Sequence, residues 1–302
     1  MYRVAAFYRF IRVEDPAGLR RWLLPLMRRL DVTGSILVAS EGINGTVAAQ
    51  PEAVDQLVAE LRTQHPLGDS DFPGELEVKY SECADRPFRR CKVRLKREIV
   101  TMGVNGISPT EQVGQYVDPK RWNELLADPD VLVIDARNDY ETAIGTFPGA
   151  VDPGTSSFRE LPQFVDENLD PEKHRSVAMF CTGGIRCEKS TSLLKEKGFE
   201  NVYHLKGGIL RYFEETSPEE NLFEGDCFVF DHRVAVGASL QPTKHVMCFG
   251  CGWAVDEEAQ KSTDFRPGVH CPRCVTQLSN SQKARFAERQ RQIDLARKNQ
   301  EV

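Results

Sequence analysis

Apolar and polar positions change their spacing along the first 80 residues, and this change predicts alternating strands and helices. Strand-like runs occupy residues 4–10, 35–40, 46–48 and 76–80. Two longer segments, beginning at Asp15-Pro16 and at Pro51, carry apolar residues every three to four positions, as amphipathic helices do. The order βαββαβ predicts a ferredoxin-like domain with a small antiparallel sheet and two helices on one face. Residues 41–45, which end in the pair Asn44-Gly45, predict the hairpin turn between the second and third strands.

The pattern changes in the second half of the chain. Short apolar runs alternate with helical segments from residue 127 to 222, which predicts an α/β domain with a parallel sheet. Residues 223–302 are rich in cysteine and end in a polar helix, predicted from about residue 279 to 299. The predicted organisation is therefore a ferredoxin-like domain over 1–95, a linker over 96–126, an α/β domain over 127–222 and a small Cys-rich module over 223–302.

Composition narrows the class of protein. The 302 residues carry a net charge of −6 and 40% hydrophobic residues, which is typical of a globular chain and excludes a largely disordered one. A globally basic nucleic-acid binder is also excluded, so any contact with RNA must use a local patch. No apolar run is long enough for a signal peptide or a membrane span. We therefore expect a cytoplasmic protein whose nine cysteines stay reduced.

The sharpest candidate for chemistry is Cys181, which follows a predicted buried strand and precedes a helix. Ligands bind beyond the carboxyl ends of strands in open α/β sheets. The candidate anion-binding loop consists of Thr182, Gly183, Gly184, Ile185 and Arg186. Its backbone N–H groups, the helix N-terminus and the arginine all favour a thiolate. The alternative is a cysteine buried in the core, but this would not explain why a glycine pair and an arginine follow it.

Two neighbouring features refine this site. Cysteine-based phosphatases have five residues between the cysteine and the arginine, whereas four separate Cys181 from Arg186, so the loop suits a smaller group than phosphate. Cys187 lies in the first turn of the following helix. It is a candidate redox partner of Cys181, and packing at the helix N-terminus is its alternative role.

Three motifs within residues 127–222 resemble the rhodanese family, whose active loop carries a cysteine persulfide. They are the Cys181 loop, the segment 133–150 and the segment 205–209. The resemblance implies a central rhodanese-like domain. Asp135 and Arg137 belong to the second motif, and we expect them to support the active loop through salt bridges and hydrogen bonds.

Further segments extend the resemblance over nearly the whole chain. Residues 40–46, 96–103, 181–189 and 248–251 are similar to the bacterial tRNA uridine(34) hydroxylase family. That resemblance implies hydroxylation of the wobble uridine of tRNA at C5 to 5-hydroxyuridine, with Cys181 as the catalytic cysteine and molecular oxygen and a reductant as co-substrates. The sequence contains no flavin, haem or nucleotide motif. A rhodanese-type sulfurtransferase and a non-catalytic tRNA-binding module are the alternatives, and the sequence does not predict the oligomeric state.

A basic segment supports an RNA substrate. Residues 86–97 contain seven positive charges and no acid, and the candidate RNA-binding residues are Arg86, Arg89, Arg90, Lys92 and Arg94. Phosphate contacts would use the charges, and Phe88 among them can stack on a base. A solvated strand face or an interdomain ion-pair network is the alternative.

The last motif predicts a metal site. Two Cys-x-x-Cys pairs, separated by nineteen residues, have the spacing of a zinc ribbon. The candidate ligands are Cys248, Cys251, Cys271 and Cys274. Four thiolates form a closed structural site, and a small domain with little core would depend on it for folding. Unmetallated or redox-active cysteines are the alternative.

Overall fold

The computed structural model describes residues 1–64, 67, 75–84, 86–231 and 233–298. Residue 299, the predicted end of the C-terminal helix, lies outside the described residues. Within the described part, no helix is long and apolar enough to cross a bilayer.

The N-terminal domain has the predicted ferredoxin-type fold. Its strands are β1 (Tyr2–Phe10), β2 (Thr33–Ala39), β3 (Gly42–Ala49), β4 (Glu77–Cys83) and β5 (Cys91–Leu95). They form one sheet in the order β4-β1-β3-β2-β5, with β5 parallel to β2. Two amphipathic helices, α1 (Pro16–Arg29) and α2 (Pro51–Thr63), pack their apolar faces on the sheet. The basic segment therefore contributes a fifth strand, at the sheet edge, to a sheet that is not purely antiparallel.

The prediction for the hairpin turn was wrong. The turn consists of Ser40 and Glu41, whereas Asn44 and Gly45 lie inside β3. The Asn44 side chain donates a hydrogen bond of 2.9 Å to the carbonyl oxygen of Ile99. Gly45 faces apolar side chains of the two neighbouring strands at close range. Tertiary contacts thus outweigh the local turn preference of an Asn-Gly pair.

The central sheet is parallel, as predicted. Its strands are β6 (Gln115–Val117), β7 (Val131–Asp135), β9 (Ser176–Phe180) and β10 (Asn201–Leu205), in the order β6-β10-β9-β7. The helices are α3 (Pro119–Ala127), α4 (Asp139–Thr142), α5 (Leu161–Asn168), α6 (Ile185–Glu196) and α7 (Gly208–Glu215). A two-residue strand, β8 (Gly145–Thr146), pairs with β11 (Glu224–Gly225). Both β6 and nearly all of α3 come from the segment predicted as a linker.

The C-terminal region contains little regular structure before its last helix. The short strands β12 (Cys227–Phe228) and β13 (Ala235–Val236) pair with each other, as do β14 (Val246–Met247) and β15 (Ala254–Val255). Short 3₁₀ helices occupy Phe158–Glu160 and Ala259–Lys261, and α8 (Asn280–Lys298) ends the described chain. The core of this region is small and includes three buried cysteines.

The helix α6 is enclosed by protein on both sides. Every residue from Arg186 to Leu194 is buried, including polar and charged ones. One side packs against the central sheet through residues such as Cys187 and Leu194. On the other side, Ile185 packs against a cluster formed by Tyr8 and Phe10 of β1. The N-terminal sheet therefore carries its own helices on one face and contacts the central domain with the other.

Candidate active site

Cys181 lies where β9 ends and is fully buried, with 0% of its surface exposed. The chain then turns through Gly183 and Gly184 into α6. Gly184, with φ of 99°, adopts a backbone conformation that favours glycine. Gly208, at the start of α7, approaches so closely that a β-carbon there would lie 2.3 Å from the carbonyl oxygen of Cys181. The glycine pairs thus allow backbone to pack tightly around the cysteine.

The surroundings of the Cys181 sulfur stabilise a thiolate. Burial alone would raise the pKa of Cys181, but hydrogen bonds and charge outweigh it and lower the pKa to about 5. The contributing groups are the Cys187 thiol, the Arg186 guanidinium and the backbone N–H groups of Cys187 and Gly184. The N–H of Gly184 lies 3.1 Å from Sγ. Burial and the hydrogen bond to Cys181 raise the pKa of Cys187 well above its usual value. Cys187 therefore stays protonated and serves as a hydrogen-bond donor.

Arg186 is held by a carboxylate that the sequence reasoning did not single out. Its guanidinium forms a bidentate pair with Glu141 of α4, with distances of 2.5 and 2.7 Å. Glu141 also accepts a hydrogen bond of 3.2 Å from the Thr182 hydroxyl. Although burial opposes ionisation, the charge of Arg186 lowers the pKa of Glu141. The sequence does contain a local signal for Glu141, because Asn138 and Glu141 form a capping box at the start of α4, shortly after β7 ends.

Asp135 and Arg137 form a second buried pair beside the loop. The Arg137 guanidinium lies 2.6 Å from Asp135 Oδ2 and donates a further bond of 2.6 Å to the carbonyl oxygen of Gly145. The backbone N–H of Ala136 donates to the carbonyl oxygen of Phe180, the residue before Cys181. This geometry connects the end of β7 to the end of β9, and the loop-supporting role of Asp135 and Arg137 stays a prediction.

The N-terminal domain contributes two groups that sequence reasoning missed. Lys79 of β4 donates a hydrogen bond of 3.1 Å to the carbonyl oxygen of Gly183 and another to that of Gly207. Burial lowers the pKa of Lys79. Tyr8 of β1 donates a hydrogen bond of 2.7 Å to Glu188 Oε1, in the first turn of α6. A β-carbon on Gly184 would lie 2.8 Å from the Tyr8 hydroxyl oxygen.

Buried charges of α6 complete this interface. Burial raises the pKa of Glu188 to about 7, even though Tyr8 and Tyr116 donate hydrogen bonds to it. The next residue, Lys189, lies 2.7 Å from a carboxylate oxygen of Glu41 and 2.7 Å from one of Glu98. A lysine of the central domain is therefore neutralised by two carboxylates from segments that precede that domain.

The five candidate RNA-binding residues differ in their surroundings. Arg86 pairs with Asp31 of the N-terminal domain. Arg89, Arg90 and Arg94 are exposed, and Lys92 is half-buried. Among the described residues, none of these last four side chains forms an ion pair or a hydrogen bond. Lys92 and Arg94 lie in β5, and Arg89 and Arg90 directly precede it.

The four predicted metal ligands lie together. Their sulfur atoms are all within 4.8 Å of one another, and the pairs Cys248–Cys274 and Cys251–Cys271 are each separated by 3.7 Å. Four sulfurs around zinc at the usual Zn–S distance of about 2.3 Å form a tetrahedron with edges of about 3.8 Å. The cluster therefore fits a metal ion coordinated tetrahedrally by four thiolates. The remaining cysteines, Cys83, Cys91 and Cys227, lie elsewhere and form no such group with the other described residues.

Comparisons with known proteins agree with this architecture. The family described as UPF0176 acylphosphatase like domain matches residues 2–99, and the Rhodanese-like domain family matches residues 118–215. The tRNA uridine(34) hydroxylase of Teredinibacter turnerae is 52% identical over 301 residues, covering 100% of this chain and 92% of that protein.

Two solved structures are each similar to about a third of this chain. The rhodanese-like domain of an Anabaena protein is 21% identical, covers 36% of this chain and 78% of its own, and has a TM-score of 0.31. An acylphosphatase from Coxiella burnetii is 15% identical, covers 30% of this chain and 90% of its own, and has a TM-score of 0.23.

Proposed function

The chain belongs to the tRNA uridine(34) hydroxylase family, and from that premise we propose that Cys181 is the catalytic thiolate of its reaction. The observation that carries the proposal is the surroundings of the Cys181 sulfur, which hold its pKa at about 5. At neutral pH the sulfur is therefore a nucleophile without the help of a separate base. The anion-binding loop has the rhodanese-type geometry, and Arg186 supplies positive charge near the sulfur.

The remaining groups around the sulfur have positioning roles. Glu141 orients Arg186 through two parallel hydrogen bonds, which fix the guanidinium plane. Asp135 and Arg137 support the strand ends, and the Cys187 thiol keeps its proton and acts as a hydrogen-bond donor to the Cys181 thiolate. This arrangement favours Cys187 as a hydrogen-bond donor over a redox partner in the reduced enzyme.

The substrate is the uridine at position 34 of tRNA, which is hydroxylated at C5. One atom of molecular oxygen enters the product, and the other leaves as water when a reductant supplies an electron pair and protons. We expect Arg89, Arg90, Lys92 and Arg94 to contact tRNA phosphates, because their charges are not paired within the described protein. A tRNA substrate also supports the predicted cytoplasmic location.

We propose zinc for the four-cysteine cluster. Cys248, Cys251, Cys271 and Cys274 would hold the ion, which in a four-thiolate site stabilises the fold and leaves no position for a substrate. The support is the fit between the sulfur separations and a tetrahedron.

Gene deletion and complementation test the catalytic assignment. Wild type and Cys91→Ser should restore 5-hydroxyuridine-derived nucleosides in tRNA, measured by mass spectrometry, whereas Cys181→Ser and Cys181→Ala should not. Full restoration by Cys181→Ser would overturn the assignment. Loss of 2-thiouridine on deletion, with hydroxylation intact, would instead indicate a sulfurtransferase, and no change in either nucleoside would indicate a non-catalytic module.

A further inference from the structure

A cavity of about 700 Å³ lies where four parts of the chain meet. It is adjacent to the active loop, and Cys251 of the four-cysteine cluster contributes to its wall. Lining residues come from the basic segment, the region around α4, the strand β12 with the residues after it, and the first Cys-x-x-Cys pair. Its principal lining residues are Phe88, Tyr140, Phe228, Phe230, Met247 and Trp253.

Aromatic rings dominate the walls. The rings of Tyr140 and Phe228 meet edge to face at 5.2 Å, and those of Phe228 and Phe230 at 5.3 Å. Phe230 is 60% exposed, so a large part of its apolar ring is available to a ligand. Trp253 also lines the cavity, and the guanidinium of Arg273, which is not a lining residue, lies 3.2 Å from its ring centroid. Such rings are platforms on which unpaired nucleobases stack.

The charges around the cavity separate a base from its phosphates. The polar lining residues include Asp139, Asp231 and Ser156. The Asp231 carboxylate forms a bidentate pair with Arg233, which compensates its charge. The Asp139 carboxylate repels phosphate but can accept hydrogen bonds from the N–H groups of bases. Outside, the exposed Arg89 and Arg90 follow Phe88 directly in the chain. The base therefore fits inside, and the backbone fits along the arginines.

The cavity adjoins the catalytic loop without including the catalytic sulfur. The Thr182 hydroxyl lies 3.5 Å from the carbonyl oxygen of Phe228, and the Arg186 guanidinium lies 5.9 Å from the Phe230 ring centroid. Cys181 is not among the residues that line the cavity in the described part of the chain. A base bound here would therefore contact residues beside the active loop and not the Cys181 sulfur.

We propose that this cavity binds an unpaired nucleobase of the anticodon loop adjacent to uridine 34, stacked on Phe230. The proposal rests on the proposed function, because it takes tRNA as the substrate. It assigns Phe230 to recognition of the anticodon loop and gives the Cys-rich module, through Trp253, a direct role in binding RNA.

Photocrosslinking tests which base occupies the cavity. Three anticodon stem-loop RNAs carry 5-iodouridine at position 33, 34 or 35, and the full-length protein is irradiated with each. Mass spectrometry of the peptides should locate crosslinks from position 33 or 35 at Phe88, Tyr140, Phe230 or Trp253. Crosslinks to these residues from position 34 alone, or from none of the three, would overturn the proposal.

Substitution separates this binding role from catalysis. Phe230→Ala should raise the Kd for the unmodified stem-loop roughly tenfold, the effect of removing one base stack, and Phe230→Trp should restore binding. Phe249→Ala is the matched control, because Phe249 is 58% exposed, also faces an arginine and lies outside the cavity. Alkylation of Cys181 by iodoacetamide should be the same in all variants, so a failed catalytic assignment remains distinguishable from a failed binding assignment. Equal Kd values for Phe230→Ala and wild type would contradict the proposal.

Discussion

The Nζ atom of Lys79 lies 3.1 Å from the carbonyl oxygen of Gly183, although 104 residues separate the two in the sequence. The lysine belongs to an edge strand of the N-terminal sheet, and the carbonyl belongs to the loop that holds Cys181. The N-terminal domain thus takes part in the shape of the active site.

Removal of this hydrogen bond should impair turnover more than tRNA binding. We expect Lys79→Met to lower kcat roughly tenfold with little change in KM, since a hydrogen bond to a charged group contributes about 1.5 to 3 kcal/mol. The exposed Lys206, next to Gly207, supplies the control Lys206→Met. Steady-state hydroxylation kinetics measure both variants. Equal kcat values for the two would show that Lys79 does not position the loop.

Cys187 should act through its proton. Cys187→Ala removes a donor to the Cys181 sulfur and should raise the pKa of Cys181, whereas Cys187→Ser keeps a donor and should retain activity. The pH dependence of alkylation measures this: in wild type the rate rises through about pH 5 and is constant above it, because the thiolate forms there. A serine variant as inactive as the alanine variant would instead favour disulfide chemistry.

Glu188 should make the stability of the protein depend on pH. Its pKa is raised to about 7 by burial, whereas in an unfolded chain the pKa of glutamate is about 4.3. Between these values the folded state binds this proton more tightly, so the contribution of Glu188 to the free energy of unfolding should fall as pH rises from about 5 to about 7, by up to about 3 kcal/mol. The lowered pKa of Cys181 contributes with the opposite sign above about pH 5, because its thiolate forms at lower pH in the folded state than in the unfolded chain.

Urea unfolding at pH 5 and pH 8 tests this dependence. Glu188→Gln keeps an acceptor for Tyr8 and should raise the stability at pH 8 relative to that at pH 5, compared with wild type, whereas the exposed Glu200→Gln should leave the difference between the two pH values as in wild type. A wild-type difference that Glu188→Gln does not alter would place the pH dependence elsewhere.

The cysteine cluster should contain zinc in purified protein. We expect about one zinc per chain, and Cys271→Ser should abolish zinc binding and lower Tm by several degrees because the small C-terminal core depends on the ion. Cys91→Ser, which changes a cysteine outside the cluster, should keep the metal. Less than about 0.2 zinc per chain in protein never exposed to chelator would argue against a closed four-thiolate site.

The exposed arginines should determine how tRNA binding depends on salt. A double variant, Arg89→Gln with Arg90→Gln, should weaken binding and reduce the slope of log K against log salt by about 0.7 to 0.9 for each phosphate that the variant no longer neutralises. Arg86→Gln is the control, since Arg86 already pairs with Asp31. An unchanged slope in the double variant would indicate that the basic segment is a solvated surface and does not bind phosphates.

Sequence reasoning predicted the elements better than the contacts between them. Apolar spacing predicted the ferredoxin-like order and the parallel sheet, and local motifs predicted the Cys181 loop and the four clustered cysteines. Lys79 could not be predicted in the same way, because a lysine on a strand with alternating polarity has the pattern of a solvated face. Glu141 was missed although its capping box is a local signal, and Asn44-Gly45 was misread because packing, which a short window does not contain, decides its conformation.

The enclosed helix α6 also has a consequence for how such a chain can evolve. Lys189 is 1% exposed and depends on Glu41 and Glu98 for its neutralisation. A central domain separated from its N-terminal neighbour would expose this helix and leave its lysine without counter-charges. A descendant that used the central domain alone would therefore need a different residue or new counter-charges at this position of α6.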